Sequence, residues 1–223
     1  MKQTYIIKKE GNSGLVLFFS GWGSESKMFG YPVPEGYDYM LCHDYTEPGF
    51  DYATLEGYSH IRLLAWSMGV WVAGKVFEGR SMPWEMRIAV NGTMFPIDDS
   101  KGIPSVIFEG TLAAMSPATL AKFRRRMCDG AYGLSTFMAH GPERSVEDLK
   151  AELQAIRDAV LAAPVPCFRW DKAIIGLRDR IFPPENQKVA HSGIPIEETD
   201  SAHYDEQLFM SCLNGEHVIW TRN

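Results

Sequence analysis

Only four cysteines occur in the 223 residues, and Cys42, Cys128, Cys167 and Cys212 stand far apart, with no CxxC pair and no zinc-ligand spacing. Neither a disulfide framework nor a metal site is expected, and all four are read as buried, reduced thiols. Positive charge is scarce too: 22 Lys and Arg face 28 Asp and Glu, for a formal net charge of −6. General nucleic-acid binding needs an excess of cations to neutralise phosphates, so that balance argues against it. Long apolar runs are missing. The opening MKQTYIIKKEGNSG carries no signal-peptide core and no later stretch approaches membrane-span length, so a cytoplasmic protein without a membrane partner is expected. Repeats, low-complexity tracts and splitting linkers are also lacking, which leaves one domain over residues 1–223. Its 45% hydrophobic and 22% charged residues are those of an ordinary globular chain.

What is present is alternation. Short apolar runs at residues 5–7, 15–19 (LVLFF), 37–42, 61–65, 86–90, 172–176 and around 194–197 read as strands. A helix at 67–78, closed by Gly79, lies between two of them, and further helices are expected near Pro184 and over 204–213. Parallel neighbours need such crossovers, so the pattern predicts an α/β protein with a mostly parallel central sheet and helices on both faces. From about 111 to 163 the strand pattern stops and two helical segments replace it. In the second, Ser145 can cap with Asp148, and Val146, Leu149, Leu153, Ile156 and Val160 form an apolar stripe. This insertion is read as a lid.

The segment LLAWSMGV puts Ser67 where a buried strand turns into a helix. A nucleophilic serine of the α/β-hydrolase fold sits on such a turn, between small residues that let strand and helix backbones approach. Here the GxSxG pattern appears as AxSxG, with Ala65 at the first small position. Taken alone, Ser67 reads first as a helix N-cap, and the surrounding pattern is what makes it a nucleophile. The helix that follows points its free N–H groups at any oxyanion beside the serine, with Met68 the first donor. A second donor is assigned to Trp22, in the Gly21-Trp22-Gly23 turn after LVLFF, although a tight turn around a buried tryptophan explains those residues as well.

A serine hydroxyl needs a base, and the base needs a carboxylate to orient it. This fold orders them serine, acid, histidine. Asp179 lies on the loop after the KAIIG strand, and His203 lies on the loop after the next one. His43 and His60 precede the serine, His140 lies in the insertion, His191 ends a predicted helix, and His217 is near the C-terminus. For the acid, Asp98 and Asp99 after the MRIAV strand remain alternatives, as does Asp200, while an Asp179 paired with Arg178 or Arg180 would be ordinary surface.

With LVLFFSGWG, LLAWSMGVWVA, GLRDRIFPP and SAHYDEQL, the chain resembles the BioG-type pimeloyl-acyl carrier protein methyl ester esterases of biotin synthesis. The resemblance runs from the first Gly-Trp-Gly loop to the C-terminal helix, and members share an xWSxG turn without the first glycine. It implies Ser67, Asp179 and His203 as the triad, an acyl carrier protein bearing a methyl-pimeloyl group as partner, and release of methanol without metal or organic cofactor. Residues 116–128 (SPATLAKFRRRMC) fit such a partner. As a helix they put Leu120, Phe123 and Met127 on one face, over an acyl pocket, and Lys122, Arg125 and Arg126 opposite, where an acidic carrier could dock. A solvated face explains the same charges. Another small-acyl esterase or thioesterase, or a binding module without turnover, stays open.

Overall fold

The computed structural model describes residues 1–47, 49–216 and 219–221. Among them, β1 (Lys2–Ile7), β2 (Gly14–Phe19), β3 (Tyr37–His43), β4 (His60–Trp66), β5 (Trp84–Val90), β6 (Lys172–Gly176) and β7 (Ile196–Thr199) form one sheet in the order β1-β3-β2-β4-β5-β6-β7. Every pairing is parallel except that of β1 with β3. Central β2 and β6 are buried at every position, which is why GLVLFF and KAIIG show no alternation. The edge strands β1 and β7 keep exposed positions. After β2 the chain moves to one side and after β4 to the other, so a crevice opens at their carboxyl ends, where parallel sheets hold ligands.

Helix α1 (Met68–Phe77) follows β4. Between β5 and β6 run α2 (Ser105–Ala113), α3 (Pro117–Met127), α4 (Ala131–Ala139) and α5 (Val146–Ala162), and the chain ends with α6 (Pro184–Ala190) and α7 (Glu206–Leu213). The insertion therefore holds four helices rather than two, and it begins at Ser105 rather than 111. The unforeseen α2 and α4 are nine residues each, contain glycine, and bury only Phe108 and Leu112 or Phe137, so their periodicity is too weak to read. The ends of α3 and α5 are legible. Ser116 and Thr119 close a reciprocal capping box ahead of Pro117, and the Ser145 hydroxyl accepts from Asp148 N at 3.0 Å. At the last helix Asp205 is the cap, which leaves Tyr204 in the loop, and β7 starts two positions later than the apolar run suggests. Cys42, Cys128 and Cys212 are buried, but Cys167 is exposed on the segment after α5, where two prolines keep the backbone out of regular structure.

Candidate active site

Ser67 leaves β4 with φ 58° and ψ −127°, a conformation that costs a non-glycine residue about 1–3 kcal/mol and must be held by its surroundings. Two glycines hold it. A Cβ on Gly69 would stand 2.3 Å from Phe19 O and 2.4 Å from Ser20 O, and one on Gly92 would stand 2.2 Å from Ser67 O. Backbone thus packs on backbone around the turn. Ala65 fills the other small position without exposure, between its sheet partners Phe19 and Ala89. Although Ser67 is the N-cap of α1, its hydroxyl makes no cap hydrogen bond. It faces His203 instead, with Oγ 3.0 Å from Nε2.

The other ring nitrogen, His203 Nδ1, is 2.8 Å from Asp179 Oδ2. A carboxylate only accepts, so Nδ1 carries the proton and Nε2 presents its lone pair to the serine. Asp179 is buried and fully engaged: Oδ1 accepts from Ile181 N (2.7 Å) and Phe182 N (3.0 Å), and Oδ2 also accepts from Gln187 Nε2 at 3.0 Å. Its neighbours Arg178 and Arg180 turn away to Asp129 and Asp200. The imidazole stacks on Phe182 with an interplanar angle of 9°. From behind, the His203 carbonyl accepts from Trp66 Nε1 (2.8 Å) and Asn91 Nδ2 (3.1 Å). Nothing in the sequence marks Gln187, Trp66 or Asn91 for these contacts, because neither spacing nor composition reveals a residue that acts through a contact from another strand end.

Gly21 presses the loop after β2 against the serine: a Cβ there would meet the Trp66 ring at 2.9 Å and Ser67 Cβ at 3.0 Å. Trp22 and Met68 border the same cavity as Ser67 and His203. Met68 opens α1, and its N–H is among the first-turn groups that an α-helix leaves without an intrahelical partner. The arrangement can deprotonate a hydroxyl and stabilise negative charge beside it. Ile103, Ile107, Phe108, Phe123, Met127 and Leu153 wall the cavity, which holds about 500 Å³ of empty space including its open mouth. Leu120 lies beyond Phe123, in an adjoining smaller cavity. Lys122, Arg125 and Arg126 of α3 are exposed, but Arg126 does not lie opposite the apolar face as expected: it borders the cavity beside the Phe123 ring, whereas Arg124 is half-buried against the Phe137 ring.

The remaining candidates are occupied elsewhere. Asp98 accepts from Ser100 and Lys101 in its own turn, Asp99 caps Ser105 N, and exposed Asp200 pairs with Arg178. His60 meets Ser59 and His140 meets Glu206, while His217 lies outside the described residues. His191 donates from Nε2 to Gly92 O at 2.9 Å, beneath the Ser67 turn. Burial pulls His191 and His43 below the ordinary value of 6.5, so the folded state keeps both rings neutral. The unfolded chain then takes up protons that the folded one refuses. Their stabilising contribution is full above about 6.5 and is lost as the pH falls below it. The urea midpoint should drop between about pH 7 and about pH 5.5 and drop less in His191→Gln; equal slopes would assign the loss to other groups.

A serine on a strained turn after β4, at the mouth of this sheet, defines an α/β-hydrolase fold. Solved hydrolases share it: the epoxide hydrolase of Bacillus megaterium superposes with a TM-score of 0.57 at 14% identity, over 90% of each chain. The chain belongs to the BioG family, pimeloyl-ACP methyl esterase BioG, whose family model matches residues 1–212. The crystal structure of BioG from Haemophilus influenzae is similar, with a TM-score of 0.87, 34% identity, and coverage of 96% of this chain and 99% of that one. A malonyl-[acyl-carrier protein] O-methyltransferase of Bacteroides fragilis is 46% identical over 200 residues, 89% of this chain, and the match spans only 41% of that longer protein. Among the described residues no helix is long and apolar enough to cross a membrane.

Proposed function

We propose that this protein is a serine carboxylesterase that hydrolyses the methyl ester of pimeloyl-acyl carrier protein, releasing methanol. The observation that carries the reading is the unbroken chain Ser67 Oγ, His203, Asp179 at the edge of an apolar pocket, in a member of a family described as pimeloyl-ACP methyl esterases. His203 Nε2 takes the Ser67 proton as Oγ attacks the ester carbonyl, and the N–H groups of Met68 and Trp22 receive the oxyanion. The tetrahedral intermediate collapses, methoxide leaves with the proton from His203, and an acyl-serine remains. Water then gives a proton to His203 as it adds to the acyl carbonyl, and the second intermediate collapses with His203 returning that proton to Ser67 Oγ, which frees the acid and restores the serine. Asp179 keeps the ring in the one orientation that serves both steps. Phe123 and Met127 cover the acyl chain, with Leu120 packed behind them, and the four helices between β5 and β6 act as a lid.

Lys122, Arg125 and Arg126 would receive the acidic carrier protein. Mass spectrometry of methyl-pimeloyl-acyl carrier protein should show loss of the methyl group with active protein, and none with Ser67→Ala. In Lys122→Glu/Arg125→Glu, which leaves Arg126 at the pocket edge, KM for the carrier-bound ester should rise about tenfold at low salt and less at high salt. Hydrolysis of a p-nitrophenyl ester should hold. Equal loss on both substrates would mean a damaged lid, and no loss on either would place the carrier elsewhere.

A further inference from the structure

Glu152 interrupts the apolar stripe of α5 and is wholly buried, with none of its surface exposed. A carboxylate removed from water is costly unless its oxygens are matched. Here both are. Oε2 accepts from Gly23 N at 3.1 Å and from Arg144 Nη1 at 2.6 Å, and Oε1 accepts from Tyr45 N at 3.0 Å. Arg144 reaches on to Asp44, which pairs with Lys2. Burial pushes the Glu152 carboxyl above its ordinary value, against the pull of Arg144 and the two N–H groups.

These contacts converge on the segment that lies against Ser67. Gly23, with φ +75°, ends the turn that contains Trp22. At the other end, the Tyr45 hydroxyl donates to Ser20 O at 2.7 Å, and Ser20 N donates to Cys42 O at 3.0 Å. One carboxylate therefore grips Gly23 directly and Ser20 through Tyr45. One turn earlier on α5, the Leu149 carbonyl accepts from Trp22 Nε1 at 2.7 Å. The peptide N–H of Trp22 sits between these fixed points, and an oxyanion donor displaced by a fraction of a hydrogen-bond length loses much of its effect.

We propose that Glu152 is the positioning residue for the Trp22 main-chain donor, holding both ends of the 20–23 turn so that this N–H is aimed at the developing oxyanion before substrate arrives. The inference rests on the hydrolase reading above. It explains a charged residue inside an apolar stripe, and it makes α5 a fixed part of the site.

The test uses two variants of the whole protein. Glu152→Gln keeps the shape but turns an NH2 group toward one of the N–H donors, and Glu152→Asp keeps the charge for Arg144 but withdraws the carboxylate from Gly23. Sites are counted by end-point labelling of Ser67 with a fluorophosphonate, so that misfolded molecules drop out of the rate. In whichever variant folds, kcat per labelled site should fall tenfold or more while KM for a p-nitrophenyl ester stays within about twofold. Affinity for a trifluoromethyl ketone, whose serine adduct carries the oxyanion, should fall in parallel. Unchanged kcat per labelled site overturns the proposal, as does a fall in kcat without the matching loss of ketone affinity. Failure of the unaltered protein to label at Ser67 would sink the hydrolase reading itself, an outcome distinct from normal labelling with Glu152 variants that turn over normally.

Discussion

Ser67→Ala and His203→Ala should each lower kcat on the carrier-bound ester by on the order of 10⁴ to 10⁶, with the thermal midpoint nearly unchanged. The two are expected to cost about the same, and the double variant little more than either, because without its partner neither the hydroxyl nor the ring has a job to do. Asp179→Asn should cost less, up to about 10⁴, since the amide still fills the site but offers the Nδ1 proton a poorer acceptor. Ile181 N, Phe182 N and Gln187 converge on that carboxylate, so some stability goes with it. Asp98→Asn and Asp99→Asn, which serve only their own turn and the start of α2, should leave kcat within about twofold. Steady-state kinetics and fluorophosphonate labelling decide the matter. A Ser67→Ala protein with a tenth of the original activity, or label recovered on a different serine, would remove Ser67 from the mechanism.

Gly92→Ala and Gly69→Ala should be severely damaging although conservative. An alanine Cβ at 92 would stand 2.2 Å from Ser67 O, and at 69 it would stand 2.3 Å from Phe19 O. Both contacts are with main chain, which cannot swing aside as a flexible side chain would. The turn must move, at a cost of about 3 kcal/mol or more in stability, and a displaced Ser67 loses on the order of 10² in kcat even where the protein folds. Ala65→Gly is the informative contrast. It creates the fuller GxSxG pattern but only removes a buried methyl from a strand, so a loss of about 1 kcal/mol with kcat retained is expected. Urea unfolding and single-turnover rates measure both. A Gly92→Ala protein with the original midpoint and rate would mean that the Ser67 turn has room to relax.

The strands were legible because apolar runs of parallel-sheet length are a local signal, α5 because Ser145 announces its start, and α3 because Leu120, Phe123 and Met127 share one helical face. Helices α2 and α4 were not, since 105–113 and 131–139 are too short and too weakly patterned to declare themselves. The exposure of Cys167 was equally hidden, because cysteine type alone favours burial and only the path of the chain after α5 decides otherwise. Glu152 is hidden in the sequence for a related reason. In a periodic stripe it reads as an interruption, and its partners Gly23, Tyr45 and Arg144 come from distant parts of the chain.

By itself the sequence determined the alternation of strand and helix, the small residues around Ser67, and the chain order of serine, aspartate and histidine, each just past a strand. Each of these is written in short segments and in their order along the chain. Tertiary structure decided which carboxylate faces His203, across 24 residues, and that the ring meets a serine 136 residues away. It also decided that Gly92 must lack a side chain and that a buried glutamate on α5 grips the turn after β2. Those outcomes depend on where the carboxyl ends of β2, β4, β6 and β7 converge, and a sheet brings them together only after every strand has found its neighbour.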